Sequence, residues 1–173
     1  LTQDSDGLLK YLATLSSVSE RQFYLFTKPQ QLAFLINAYN GYQLKLVIDH
    51  YPIKSIKDVG NFFRSPWDIE FFQLFGDDVS LNLIEHGMLR EQFNEPRIHF
   101  AVNCASISCP PLQRVAFQAV QLDEQLEAAT VNFLNDESVN RVDPNSSRLL
   151  VSKIFDWYGE DFDMNDMGFL KRN

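Results

Sequence analysis

Between Leu32 and Ile48 nearly every residue is apolar; the exceptions are Asn37, Asn40, Gly41, Gln43 and Lys45. A helix apolar on all sides is buried on all sides, so this segment must lie at the centre of whatever the chain builds. Pro29 suits its first turn and Pro52 stops it near Tyr51. Its longest fully apolar run, Leu32 to Ile36, is far shorter than the roughly 20 residues of a membrane span. At helical spacing Asn37, Asn40, Gly41 and Leu44 share one stripe. Buried amides need partners or cost several kcal/mol together. Two roles are open for Asn37 and Asn40. They can bond the backbone of a neighbouring loop, with Gly41 allowing close approach, or line a site and orient a catalytic group or substrate.

The rest of the chain reads as α+β, a central buried helix and surrounding helices packed on a small antiparallel sheet. Ser5 or Asp4 can cap a first helix carrying Leu8, Leu9, Leu12 and Leu15, and Ser19 a second carrying Phe23 and Phe26. Ser55 to Val59 is a further short helical turn. Asp68 to Phe75 reads as a strand, Gly76 to Asp78 as a turn, and Val79 to Leu81 as a returning strand. Helices are expected over Asn82 to Gln92 and Leu122 to Asn135, with a β-rich run at Arg97 to Asn103. Val139–Val142 and Leu149–Val151 form a hairpin, and Ser152 caps a last helix through Trp157. With 173 residues and no long linker, a single domain over 1–173 is expected.

Composition narrows the function classes. The chain is 45% apolar and 22% charged, with 15 Phe and 6 Tyr, which excludes global disorder. A net charge of −8 argues against nucleic acid as a partner. No P-loop, GxGxxG or GxSxG pattern occurs, and no HxxxH or CxxC spacing, so no metal or cofactor is expected. The first residue is Leu1 and no leader pattern is visible, which reads as a processed or trimmed chain.

Two constellations can carry chemistry. In Ile84-Glu85-His86-Gly87, adjacent Glu85 and His86 point apart on a helix, while His86 and Arg90 share a face. They are either a salt-bridging pair on an exposed helix or a base and its orienter. The stronger is Ile98 to Pro111, a strand-like run followed by a small-residue loop with Cys104 and Cys109. Alternation puts His99, Ala101 and Asn103 on one face, and a turn near Asn103 would expose Cys104 at a strand end. A nucleophilic thiol needs a base or cation nearby, and His86 and His99 are the candidates. Cys104 can equally be a small buried hydrophobe. The two cysteines are five apart, so a local bridge requires the backbone to turn between them. Asp156, Glu160, Asp161, Asp163 and Asp166 read as a solvated acidic face.

Several motifs resemble the bacterial and plant family called domain of unknown function 547: Phe34 to Asn40, Ile84 to Arg90, Pro96 to Ala101, Cys104-Ala105-Ser106, Ser108 to Leu112 and Ile154 to Tyr158. The resemblance covers about residues 30–162. It implies a distant similarity to papain- and transglutaminase-like cysteine hydrolases, with a core helix on a small antiparallel sheet. His99 would then match the base. Asn37 stands near where that larger group often has its Cys, so this chain departs from the pattern: the helix carries an amide and the thiols lie on a later loop. Members often have export signals, which implies a periplasmic or secreted location.

Two functional readings follow. In the first, Cys104 or Cys109 attacks an acyl carbon of an amide, peptide or thioester. His99 or His86 moves the proton, Glu85 or an Asn orients the imidazole, and Asn37, Asn40 and the loop at Ser106 hold the oxyanion. In the second, the domain is a non-catalytic module that holds a small peptide or a thiol such as glutathione through Asn37, Asn40, Asn103, Ser106, Arg97 and aromatics.

Overall fold

The second and third helices start where side chains satisfy free N–H groups at the helix end. The computed structural model describes residues 5–162 apart from 62, 63 and 147; Asp4, Asp163 and Asp166 lie outside the described residues. Helix α1 spans Ser5–Ser16 and α2 spans Glu20–Leu25, the latter begun by a reciprocal cap between Ser19 and Gln22. Helix α3, Lys28–Asp49, begins with the Thr27 N–H donating to Gln30 Oε1 at 2.8 Å. It ends two residues before the expected Tyr51.

Helix α3 is the centre of the larger apolar cluster. Leu35, Ile36, Ala38 and Tyr39 are fully buried, and α1 lays Leu12 and Leu15 against the helix. A Cβ on Gly41 would stand 2.9 Å from Leu12 Cδ2, so this glycine sets the closeness of α1 to α3 rather than of a loop. Phe100, Ala129, Phe133, Ile154, Phe155 and Phe162 form a second cluster. It involves α4 (Leu122–Leu134) and α5 (Ile154–Trp157).

The β structure is smaller than the sequence implies. Strands β1 (Phe72–Leu74) and β2 (Asp77–Val79) make one antiparallel hairpin, with Phe72 opposite Val79. Strands β3 (Arg141–Asp143) and β4 (Arg148–Leu150) make another. No larger sheet exists among the described residues, so the chain is mixed α+β with two separate hairpins. The expected strand from Asp68 is shortened because Ser65 Oγ accepts from the Trp67 N–H and starts a 3₁₀ turn over Pro66–Asp68. The β1–β2 turn has positive φ at both Phe75 (61°) and Gly76 (97°), the primed geometry that suits a tight hairpin. A phenylalanine is uncommon there; its ring is held 4.7 Å from that of Phe23 and 5.8 Å from that of Phe34.

Two further expectations are corrected. The run Arg97 to Asn103 is not a strand: Pro96–Phe100 is a 3₁₀ helix. Glu95 caps it, its carboxylate accepting from the Arg97 N–H, and the Ala101 N–H donates to Ile98 O, closing a local turn that no strand could contain. His99, Ala101 and Asn103 therefore do not share a strand face. The segment after Asn82 is helical, but Leu83–Arg90 is wound as a π-helix. Such wider turns are uncommon and concentrate at functional sites.

Candidate active site

Three elements converge on one buried carboxylate. Glu85 comes from the π-helix and is 3% exposed. The Tyr158 hydroxyl, just past α5, donates to Glu85 Oε1 at 2.5 Å. Tyr39, from the middle of α3, puts its buried hydroxyl beside the same carboxylate; it makes no hydrogen bond of good geometry, but the carboxylate acts on it. Burial, then the Glu85 charge, raises both phenols above the ordinary value of 10.0, so both stay protonated at any physiological pH.

This group opens into a cavity of about 520 Å³. Trp67 and Trp157 supply aromatic walls, the exposed Lys54 and Lys57 stand on one rim, Cys104 to Ile107 on another, and Asn82 is also in the lining. That volume falls in the range of small-ligand sites, about 300–1,000 Å³.

A second polar cluster lies against Tyr158. Its ring stacks on His99 with centroids 3.9 Å apart. His99 Nε2 lies 2.7 Å from Asp161 Oδ2, and Arg90 grips Asp161 with two bonds of 2.6 and 2.9 Å. Arg90 also lies 3.0 Å from His86 Nδ1, the pairing expected from their spacing. Burial lowers the His99 pKa below 6.5, and the Asp161 bond offsets only part of that. The neutral ring facing an acceptor-only carboxylate places its proton on Nε2. Nδ1 is then bare and buried, with no hydrogen-bond partner among the described residues. Burial pushes the Asp161 carboxyl up, but the bonds from Arg90 and His99 outweigh it and hold the carboxyl below 3.8. Asp161 is therefore not part of a solvated acidic face.

The remaining candidates divide clearly. Cys104 and Cys109 are bonded to each other, with their Cα atoms 6.1 Å apart, so neither sulfur is a thiol in this state. Cys104 lines the cavity with Glu85, whereas His86 is exposed and His99, stacked on the Tyr158 ring, is not in that lining. Asn37 and Asn40 take the clamping role. Asn37 holds Phe117 by a donor and an acceptor bond, both 2.8 Å. Asn40 donates to Ala101 O and accepts from the Asn103 N–H, both at 2.9 Å. Each amide nitrogen keeps a second N–H, but neither residue lines the Glu85 cavity, so neither is placed to hold an oxyanion there. Asn103 braces the disulfide loop through Pro110 O and the Ala105 N–H. Ser106 lines the cavity. Arg97 pairs with Glu95, Asp123 and Glu127 beside a different cavity. Among the described residues no three His, Cys, Asp or Glu side chains converge to hold a metal, and no helix is long and apolar enough to cross a membrane.

Sequence reasoning missed Lys54, Lys57 and Trp67, read Asp161 as part of a solvated acidic face, and gave Tyr39, Trp157 and Tyr158 no role in a site, naming them within family motifs. A signal for Tyr39 was present: a phenol in a helix buried on all sides must bring its hydroxyl to a polar group.

An α+β domain with a carboxylate-floored cavity is the class that fold and site define. The chain belongs to the DUF547 family of proteins of unknown function, whose model matches residues 24–134. Glu85 and Tyr39 lie inside that match, and Tyr158 beyond it. No curated protein and no solved structure matches the chain significantly.

Proposed function

We propose that the domain binds a small peptide or other small polar molecule in the Glu85 cavity, as a non-catalytic module in the oxidised state. One observation carries this reading: a nearly fully buried carboxylate, held by a tyrosine hydroxyl, opens into a ligand-sized hollow with aromatic walls. The disulfide fits an oxidising compartment such as the periplasm or the extracellular space. The test is a ¹H–¹⁵N titration of the oxidised protein with S-methylglutathione, a peptide without a free thiol. Shifts at residues 54–57 and 104–107 and at both indole N–H groups support the reading. Shifts confined to the cavity beside Arg97, or none at 10 mM peptide (roughly −3 kcal/mol of affinity or weaker), overturn it.

A second reading is favoured by Cys104 lining the same cavity. Reduction would free a thiol there for acyl transfer, in the same lining as Glu85, as kinship to papain- and transglutaminase-like hydrolases would imply. Steady turnover of p-nitrophenyl acetate by the reduced protein, absent in Cys104→Ser, would favour this reading. Equal rates in both would remove it.

A further inference from the structure

Glu85 is buried and is the one carboxylate in the cavity lining, and no Lys, Arg or His forms an ion pair with it among the described residues. Its nearest basic neighbours are committed elsewhere: Arg90 is bound to Asp161 by two bonds, and His99 is neutral and also on Asp161. A buried carboxylate with no direct ion pair is unfavourable, and the hydroxyl donor and the Arg90 charge, which acts on it without contact, compensate only in part. A cation entering the cavity would complete the pair where water is scarce and the attraction correspondingly strong.

The walls agree with a cation. Tyr39, Tyr158, Trp67 and Trp157 all border the hollow, and aromatic faces attract ammonium groups, by about 2 kcal/mol or more where the group is desolvated. The rim does not agree with a simple cation. Lys54 and Lys57 are exposed there and would repel one, while attracting an anionic group at the mouth. One sign at the floor and the other at the rim is the pattern of a ligand that carries both charges.

We propose that the cavity selects a zwitterion, its ammonium seated on Glu85 among the aromatic rings and its carboxylate held at the mouth by Lys54 and Lys57; a short peptide with both termini free is the class that fits. This rests on the cavity being a binding site. The exchange is binding only: no covalent bond forms or breaks, and the ligand's amine enters already protonated.

The chain has two tryptophans, Trp67 and Trp157, and both line the cavity, so tryptophan fluorescence excited beyond the tyrosine absorption band reports on this site. The probes are triglycine, N-acetyl-triglycine and triglycine amide, titrated into the oxidised protein. Triglycine should bind at least about tenfold more tightly than either capped form, a difference of ~1.4 kcal/mol. Glu85→Gln should abolish the preference for a free amine and keep that for a free carboxylate. Lys54→Gln/Lys57→Gln, on the exposed rim, should do the reverse. Equal affinity for all three peptides overturns the zwitterion and leaves the binding site standing. No fluorescence change with any of them overturns both. Unchanged preferences in the two variants overturn the assignment of the charges.

Discussion

Tyr158 and Glu85 are 73 positions apart, yet the tyrosine hydroxyl donates directly to the buried carboxylate. The same ring stacks on His99 and lies under the Arg90 guanidinium, 5.3 Å from its centroid. One side chain thus joins the cavity floor to the His99–Asp161–Arg90 cluster and locks the segment after α5 onto the π-helix.

The first prediction concerns that bond. Tyr158→Phe keeps the stacking ring and removes the donor, so it should destabilise the fold by about 1–3 kcal/mol, the range for a hydrogen bond to a charged group. Glu85→Gln combined with it should show a coupling above about 0.5 kcal/mol in a denaturation cycle. Strict additivity would mean the bond contributes nothing.

The second concerns the clamps. Asn37→Ala or Asn40→Ala each strands one backbone carbonyl and one N–H that the amide now satisfies. Each should destabilise by about 2–4 kcal/mol, lowering Tm, because unsatisfied buried groups cost about 1–3 kcal/mol apiece. In chemical denaturation the loss should appear in the midpoint with an unchanged slope.

Helix legibility came from local chemistry: Ser19, Pro29 and the apolar run of α3 each specify a helix without reference to the rest of the chain. The failures have physical causes of two kinds. Ile98, Phe100 and Val102 alternate as a strand would, but Glu95 and Pro96 start a 3₁₀ turn, and a local cap defeats a period-two pattern. Phe75 is a poor residue for its turn; contacts with Phe23 and Phe34, about 40–50 positions away, hold it there. Glu85 was visible as a candidate. Its partners were not, because Tyr39 and Tyr158 come from distant segments, and Asp161 among other acids looked like a solvated run until Arg90 and His99 were placed on it.

The third prediction is a pH dependence. His99 is depressed below its ordinary 6.5 in the fold, so the unfolded chain takes up its proton first. Its contribution is complete above pH 6.5 and is lost as pH falls from there through the folded value. Asp161 is also depressed, and its contribution is lost lower down, as pH falls below 3.8. Stability should therefore fall in two steps on acidification from neutrality, and fall again in strong alkali where Tyr39 and Tyr158 ionise in the unfolded chain first. His99→Gln should abolish the upper step and, since the His99 bond helps depress Asp161, also shrink the lower one; persistence of the upper step in that variant would assign it to another group.

The fourth is redox. The Cys104–Cys109 bridge closes a loop of six residues, for which the chain-entropy model gives about 2 kcal/mol. Dithiothreitol should lower Tm accordingly and release two thiols to a colorimetric thiol reagent. Before reduction none should react, even in denaturant. Two reactive thiols in the untreated denatured protein would contradict the bridge.

The most direct test of the central claim is a crystal structure of the oxidised protein soaked with triglycine. The account places the peptide in the Glu85 cavity with its amino nitrogen at hydrogen-bond distance, about 2.7–3.2 Å, from the Glu85 carboxylate. Peptide bound elsewhere at full occupancy, with the Glu85 cavity holding only water, would contradict it.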